Sequence, residues 1–210
     1  MRLKVISQRE EQAGRQRNYG YHILGGHMTW KGIVGKGFKP EEFDSYAYQQ
    51  LHLDNILKVP WHPQFIVLHN TSAPTFAQWH QVPGEQRMAN LEHYYRDELK
   101  WSAGPHLFIA DDLIWAFTPL YTPGVHSPSW NEISYGIELV GDYNVESLTA
   151  PLRSNAIIAM SALCKHGNME IDSLKLHHED PLTTHKGCPG KNVVKQDFIE
   201  GIKAYVQARQ

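Results

Sequence analysis

Residues 64–70 read QFIVLHN, a short apolar run that ends in a histidine and an asparagine and follows Pro60 and Pro63. An unbroken apolar run of this length, bounded by turn-forming residues, is typical of a strand that is buried on both faces. Such a strand carries His69 at its end, where the segment Asn70-Thr71-Ser72 continues as a turn-forming loop. Because side chains on such loops can face a cleft, the run predicts a buried strand that presents His69 to a site.

Strand and helix patterns interleave on both sides of this run. Residues 135–140 (YGIELV) predict another strand, and residues 106–110 and 113–117 predict a hairpin around Asp111-Asp112. Apolar residues that recur at helical spacing predict four helices: from Lys39 through Leu51, from Met88 to Leu99, from Thr149 to Gly167, and from Val194 to Tyr205. Because strands and helices interleave without internal repeats, the predicted class is α/β or α+β, with a single mixed β-sheet flanked by helices.

The length and composition fit one globular domain. The chain has 210 residues, of which 41% are hydrophobic and 20% charged, and its 20 basic and 22 acidic side chains give a formal charge of -2. This balance does not suggest a nucleic-acid partner. We expect one catalytic or binding domain, acting as a monomer.

The N-terminal residues carry no sign of export or membrane insertion. No stretch reaches the roughly 18 apolar residues of a membrane span, and the first residues lack the apolar core of a signal peptide. We therefore expect synthesis in the cytoplasm. Residues 1–28 are polar, lack periodicity and end in Gly25-Gly26-His27-Met28, so we assign them to an extension without a catalytic role and residues 29–210 to the domain.

Residues 177–191, HHEDPLTTHKGCPGK, contain three histidines, two acids, two lysines and a cysteine within fifteen positions. An imidazole and a thiolate suit zinc, but a catalytic zinc usually takes three protein ligands, and His69 is the best candidate for the third. The residues alone leave His177, His178 and His185 open as the histidine of this segment. In a reducing compartment Cys188 and Cys164 are better interpreted as free thiols or metal ligands than as a disulfide.

Four segments, in this order, resemble a known family: residues 65–74 (FIVLHNTSAP), 102–117 (SAGPHLFIADDLIWAF), 124–144 (GVHSPSWNEISYGIELVGDYN) and 177–191. They are similar to the zinc-dependent N-acetylmuramoyl-L-alanine amidases of the amidase-2 and peptidoglycan-recognition superfamily, which includes bacteriophage endolysins. The resemblance covers about residues 60–206. It implies that His69, His178 and Cys188 are the zinc ligands, with His178 preferred to His177 because His178-Glu179-Asp180 matches a His-x-Asp arrangement of the family.

The resemblance also implies an activity, the zinc-dependent hydrolysis of the amide between N-acetylmuramic acid and L-alanine in peptidoglycan or muropeptides. Glu138 matches an acid beside the metal that acts as the base, and Lys186 matches a basic residue facing the scissile carbonyl. The candidate substrate contacts are four residues of the same segments: His126, Asn70, Trp130 and Asn131. Each has a plainer alternative, since a loop histidine or asparagine often bonds to backbone and a tryptophan often only packs.

One position departs from the family pattern. Phage members often carry a catalytic tyrosine in a Gly-Tyr-His segment, where this chain has Gly104-Pro105-His106. This favours the branch in which a glutamate is the base, although that branch commonly has aspartate where this chain has Cys188. Two rival functions remain open, a recognition protein that binds wall fragments without cutting them and a hydrolase with Cys188 as nucleophile. The site of action also stays open between the cell wall, after release, and cytoplasmic muropeptides.

Overall fold

A computed structural model describes residues 29–53 and 61–209, and their strands form one sheet. The predicted extension, residues 1–28, lies outside the described residues. The strands are β1 (Lys36–Phe38), β2 (Phe65–Asn70), β3 (Leu107–Ile109), β4 (Ile114–Ala116), β5 (Ser134–Leu139) and β6 (Lys175–Leu176). Within the described ranges they make a six-stranded sheet in the order β1-β4-β3-β5-β2-β6. The β1, β4 and β3 pairings are antiparallel and the β3, β5, β2 and β6 pairings are parallel, which confirms the predicted mixed sheet.

Helices pack on this sheet. They are α1 (Pro40–Tyr48), α2 (Phe76–Trp79), α3 (Gly84–His93), α4 (Ala150–Gly167) and α5 (Lys195–Gln207). The first and third continue as π-helical turns, Gln49–Leu53 and Tyr94–Glu98, and short 3-10 turns cover Ile171–Ser173 and His177–Glu179. Helices α1 and α5 both pack against α4. In this part of the chain, none of the helices combines the length and the apolar character needed to cross a membrane.

The parallel strands explain the unbroken apolar run. Strand β2 has β5 on one side and β6 on the other, and Ile66, Val67 and Leu68 are at most 3% exposed. A strand paired on both edges and covered on both faces has no side chain in water, so its sequence does not alternate. The predicted strand is confirmed and ends at Asn70, one residue beyond His69.

The longest predicted helix is confirmed, with a different end. The Thr149 hydroxyl accepts a hydrogen bond from the Leu152 N–H, and a proline occupies the first turn of α4. We predicted Gly167 as the stop, but Gly167 belongs to the helix and Asn168 takes the left-handed conformation (φ 52°) that ends it. Asparagine tolerates this conformation better than most residues, so it replaces glycine as the terminator.

The pairing of β2 with β5 and β6 places the candidate site residues next to one another. Strands β2 and β5 run parallel with His69 opposite Glu138, so the two side chains share one face of the sheet. Strand β6 pairs with the other edge of β2, and the chain leaves it directly into His177. The carboxyl ends of three parallel strands therefore meet at one edge, which is where α/β sheets bind ligands.

Candidate metal centre

Three side chains converge at this edge of the sheet. One ligand atom each from His69, His177 and Cys188 lies within 4.8 Å of the other two. His69 is 2% exposed and His177 6%, and Cys188 is partly buried. Two imidazoles and one thiol are a donor set that zinc prefers, and three protein ligands leave a fourth tetrahedral position open for chemistry. The donor types and their spacing fit this metal.

The cluster contains His177 in place of the predicted ligand His178, one position further along the chain. His178 is exposed, and its Nδ1 lies 3.0 Å from the carbonyl oxygen of Cys188. Both histidines belong to a 3-10 turn, in which successive side chains point about 120° apart, so only one of them can face the cluster. Each of the two histidines has an acidic residue two positions later, Glu179 after His177 and Asp180 after His178. The spacing between histidine and acid therefore could not show which histidine faces the cluster.

Burial keeps both cluster histidines neutral. Burial lowers the pKa of His69 well below its ordinary range, and the nearby His177 and His126 act in the same direction. Burial, followed by the effect of His185, lowers the pKa of His177 to about 3. A neutral imidazole keeps the lone pair that a metal needs, so both rings are ready to act as ligands.

The cysteine is a better ligand than nucleophile. Burial, with the charge of Glu138, raises the pKa of the Cys188 thiol above its ordinary value, although a hydrogen bond with the Asn70 backbone opposes this rise. Reactive cysteines need a lowered pKa, so this environment argues against Cys188 as an unaided nucleophile. A bound cation reverses the balance by stabilising the thiolate. Cys188 and Cys164 form no disulfide.

A carboxyl group with a free oxygen lies beside the cluster. The Oε2 atom of Glu138 is buried and has no hydrogen-bond partner within residues 29–53 and 61–209. Burial raises the pKa of Glu138 to about 8. The phenol of Tyr95 has its own pKa raised by burial and by the charge of Glu138, which puts this ring in the same region. An unpaired buried acceptor of this kind is unusual in a purely structural carboxylate and typical of a functional one.

Lys186 lies on the exposed turn that leads into Cys188. Its Nζ donates a hydrogen bond of 3.3 Å to the carbonyl oxygen of Asp180. The loop itself thus holds the ammonium group, which has further N–H donors for another acceptor.

Two of the predicted substrate contacts serve the protein interior instead. His126 is 8% exposed, and its two ring nitrogens lie 3.1 Å from His69 Nε2 and 3.3 Å from the Ser134 carbonyl oxygen. Asn131 uses its Oδ1 to accept hydrogen bonds from the backbone N–H groups of His126 and Ser127, at 2.7 and 2.8 Å. Both ring nitrogens of His126 and the Oδ1 atom of Asn131 thus have partners within the protein, and substrate contact by either residue stays a prediction.

The remaining two predicted contacts differ from each other. Asn70 is 9% exposed and its side-chain amide donates to the carbonyl oxygen of Gly141 at 3.3 Å, so it stabilises the turn after β2. Trp130 is half-buried and packs edge to face on Phe65, with ring centroids 5.4 Å apart. Among the four predicted substrate contacts, Trp130 is the one whose aromatic ring is partly open to solvent.

Asp180 organises the loop that carries two of the cluster residues, a role that the sequence did not reveal. Its buried carboxylate accepts hydrogen bonds from the hydroxyls of Ser127 and Ser129, both at 2.5 Å, and from the backbone N–H groups of Ser129 and Leu182. Burial acts to raise the pKa of Asp180, but these hydrogen bonds outweigh it and the pKa is lowered. Asp180 thereby ties the 177–191 loop to the loop that carries His126.

Comparisons with known proteins agree with this architecture. The peptidoglycan-recognition protein SC2 of Drosophila melanogaster is 26% identical over 109 residues, which cover 51% of this chain and 58% of that protein. The endolysin amidase LysCS from Clostridium intestinale URNW is 28% identical with a TM-score of 0.54, over 70% of this chain and 85% of that one. A Drosophila PGRP-LB mutant, solved in complex with tracheal cytotoxin, shares the fold at 21% identity and a TM-score of 0.55, over 66% of this chain and 86% of that one.

The chain spans little more than half the length of the Drosophila SC2 protein, 58%, so that likeness is partial. The family match is broader. Residues 60–191 fit the model of the family described as N-acetylmuramoyl-L-alanine amidase, and this range contains the three cluster residues and Glu138. The chain therefore belongs to the amidase-2 family of N-acetylmuramoyl-L-alanine amidases.

Proposed function

We propose that the chain is a zinc-dependent amidase that hydrolyses the amide between N-acetylmuramic acid and L-alanine in peptidoglycan or its fragments. One observation carries the proposal: His69, His177 and Cys188 converge beside Glu138, whose buried Oε2 has no partner in the described part of the chain. Zinc held by the first three residues would supply a Lewis acid for the scissile carbonyl and for the attacking water. The remaining chemistry belongs to the protein side chains.

Glu138 is the proposed general base. It shares a sheet face with His69, its neighbour in the parallel register, so its carboxylate is directed to the side where the cluster lies. It would take a proton from the attacking water and later give that proton to the departing amine. Burial raises the pKa of Glu138 to about 8 in the metal-free chain, and a bound cation would lower it again towards the range in which a carboxylate can both accept and return a proton.

Lys186 and Trp130 are the proposed substrate-directed groups. The ammonium of Lys186, which bonds to the Asp180 carbonyl oxygen, would direct another N–H to the negative oxygen that develops on the amide carbonyl. The partly open ring of Trp130 offers a flat apolar surface against which a sugar or a peptide side chain can pack. Substrate contacts by His126, Asn70 and Asn131 stay predictions, and they rank behind these two because each residue already makes a hydrogen bond within the protein.

A second candidate function is recognition of wall fragments without cleavage. It is favoured by the likeness to peptidoglycan-recognition proteins, one of which was solved with tracheal cytotoxin. Binding alone does not require an unpaired buried carboxyl group next to a metal-capable cluster. Glu138 therefore weighs towards hydrolysis.

The test is digestion of purified peptidoglycan, and separately of soluble muropeptides, by the zinc-loaded chain. New L-alanine amino termini that disappear after chelation and return with zinc would support the proposal. Binding of a muropeptide by the zinc-loaded chain without new termini would favour recognition. Full activity after exhaustive chelation would contradict zinc dependence and return Cys188 as a nucleophile. Activity on one substrate form only would separate a wall-lytic enzyme from one that recycles fragments.

A further inference from the structure

The cluster histidine on the sheet, His69, is hydrogen-bonded to the ring of a second histidine, His126. His69 Nε2 lies 3.1 Å from His126 Nδ1, and His126 Nε2 lies 3.3 Å from the carbonyl oxygen of Ser134 in β5. All three residues are buried. The result is a short chain of hydrogen bonds that starts at the sheet backbone and ends at the proposed metal ligand.

The direction of these bonds fixes where the protons sit. A backbone carbonyl oxygen can only accept, so His126 must donate from Nε2 to Ser134. A neutral imidazole with its proton on Nε2 has an acceptor at Nδ1, so His69 must donate to it from Nε2. His69 then keeps its lone pair on Nδ1. The carbonyl of Ser134 thus sets the tautomer of His69 through His126.

The ring of His126 has no room to turn. A Cβ atom added at Gly136 would lie 2.3 Å from His126 Cγ, so the ring sits directly on a bare stretch of the β5 backbone. The rings of His69 and His106 stand edge-on to it, with centroids 5.2 and 5.8 Å away. The backbone N–H of His126 is fixed as well, by the Asn131 side chain at 2.7 Å. Rotation of the ring would break both of its hydrogen bonds.

We propose that His126 is a positioning residue, which holds His69 in the tautomer and orientation that bind a metal at Nδ1, with Gly136 as the seat that its ring requires. The proposal uses only the metal-binding part of the proposed function and does not depend on which bond is cut. Partners of this kind that hold a ligand histidine typically contribute a factor of about 10 to 100 in metal affinity.

The test compares His126→Phe with His126→Asn. Phenylalanine fills the space but accepts no hydrogen bond, whereas the asparagine amide can place an oxygen close to the position of Nδ1. The measurement is zinc affinity, by competition with a chelator, together with the visible absorption spectrum of the cobalt-substituted chain. We expect His126→Phe to weaken zinc binding about 10- to 100-fold and to alter the cobalt spectrum. We expect His126→Asn to recover most of the affinity.

His166→Phe is the matched control, because the His166 side chain is also mostly buried but bonds to Asp44, away from the cluster. It should leave zinc affinity unchanged. Gly136→Ala is a second route, since its methyl group displaces the His126 ring without removing a polar atom, and it should also weaken zinc binding. Thermal unfolding of the metal-free variants shows which of them fold.

Wild-type zinc affinity in a folded His126→Phe or Gly136→Ala variant would overturn the inference and leave the proposed amidase function intact. Equal losses in folded His126→Phe and His126→Asn would overturn it too, because the acceptor would then be irrelevant. A wild-type chain that binds zinc but releases no L-alanine termini would contradict the proposed function alone. The zinc affinities of the variants would still decide the role of His126.

Discussion

The candidate site has two halves that are built differently. The strand half consists of His69 and Glu138, neighbours in the register of β2 and β5. The loop half is the segment 177–191, which supplies His177 and Cys188 and is tied by Asp180 to Ser127 and Ser129. Pairing between strands fixes the first half, whereas the second is folded by backbone hydrogen bonds within the loop and is joined to the neighbouring loop through the side chain of Asp180. The loop half should therefore be the more sensitive of the two to single substitutions outside the cluster.

The largest effect is expected in the loop half, where one residue separates a ligand from a bystander. His177→Ala removes a metal ligand, so we expect loss of stoichiometric zinc and a fall in amidase turnover of about 1,000-fold or more. His178→Ala is the matched control and should keep both, because that ring is exposed. Metal analysis and the digestion assay check both variants. The reverse result would restore His178 as the ligand.

The next largest effect is expected in the strand half, where a substitution should lower turnover without loss of the metal. Glu138→Gln keeps the shape of the side chain and removes the base, so turnover should fall roughly 100- to 10,000-fold. Zinc content should stay at the wild-type level, because Glu138 lies outside the three-residue cluster. Turnover and metal content measured on one preparation provide the check. Near-normal turnover would remove Glu138 from the mechanism.

Stability should respond most at the residue that anchors the loop half. Asp180→Ala leaves the hydroxyls of Ser127 and Ser129 without their buried acceptor, so we expect a loss of about 2 to 4 kcal/mol in the free energy of unfolding. Asp172→Ala is the control, because its ion pair with Lys203 is exposed and such pairs contribute about 1 kcal/mol or less. Urea denaturation of the metal-free chain measures both. Equal losses would mean that Asp180 is no special anchor.

The smallest effect is expected at the exposed lysine of the loop half. Lys186→Ala should lower kcat about 10- to 100-fold with little change in KM. This loss is at or below the usual range for removal of an oxyanion donor, because the Lys186 side chain is exposed and bonds to the carbonyl oxygen of Asp180. Steady-state kinetics on a soluble muropeptide checks this. Lys191→Ala, another exposed lysine three residues beyond Cys188, is the control and should behave like wild type. An unchanged kcat for Lys186→Ala would exclude the proposed oxyanion role.

The sequence predicted those helices and strands whose formation depends on residues within the segment itself. The apolar run of β2, the capped helix α4 and the hairpin of β3 and β4 follow from burial pattern and end signals that lie within each segment. Strands β1 and β6 were not predicted, because they are three and two residues long and are extended through their pairing with β4 and β2. The hydrogen-bond partners of His126 and Asn131 were not predicted for a similar reason, since they are set by the packing of a loop on the sheet.

By itself, the sequence determined the buried strand that carries His69, the loop that holds Cys188 and the order of the segments that resemble the family. These properties depend on residue type and on neighbours in the chain, which a sequence displays directly. Only the tertiary structure decided that His177, rather than His178, faces the cluster and that His126 lies behind His69. Adjacent positions in a tight turn point in different directions, and that direction is fixed by contacts with residues far away in the chain.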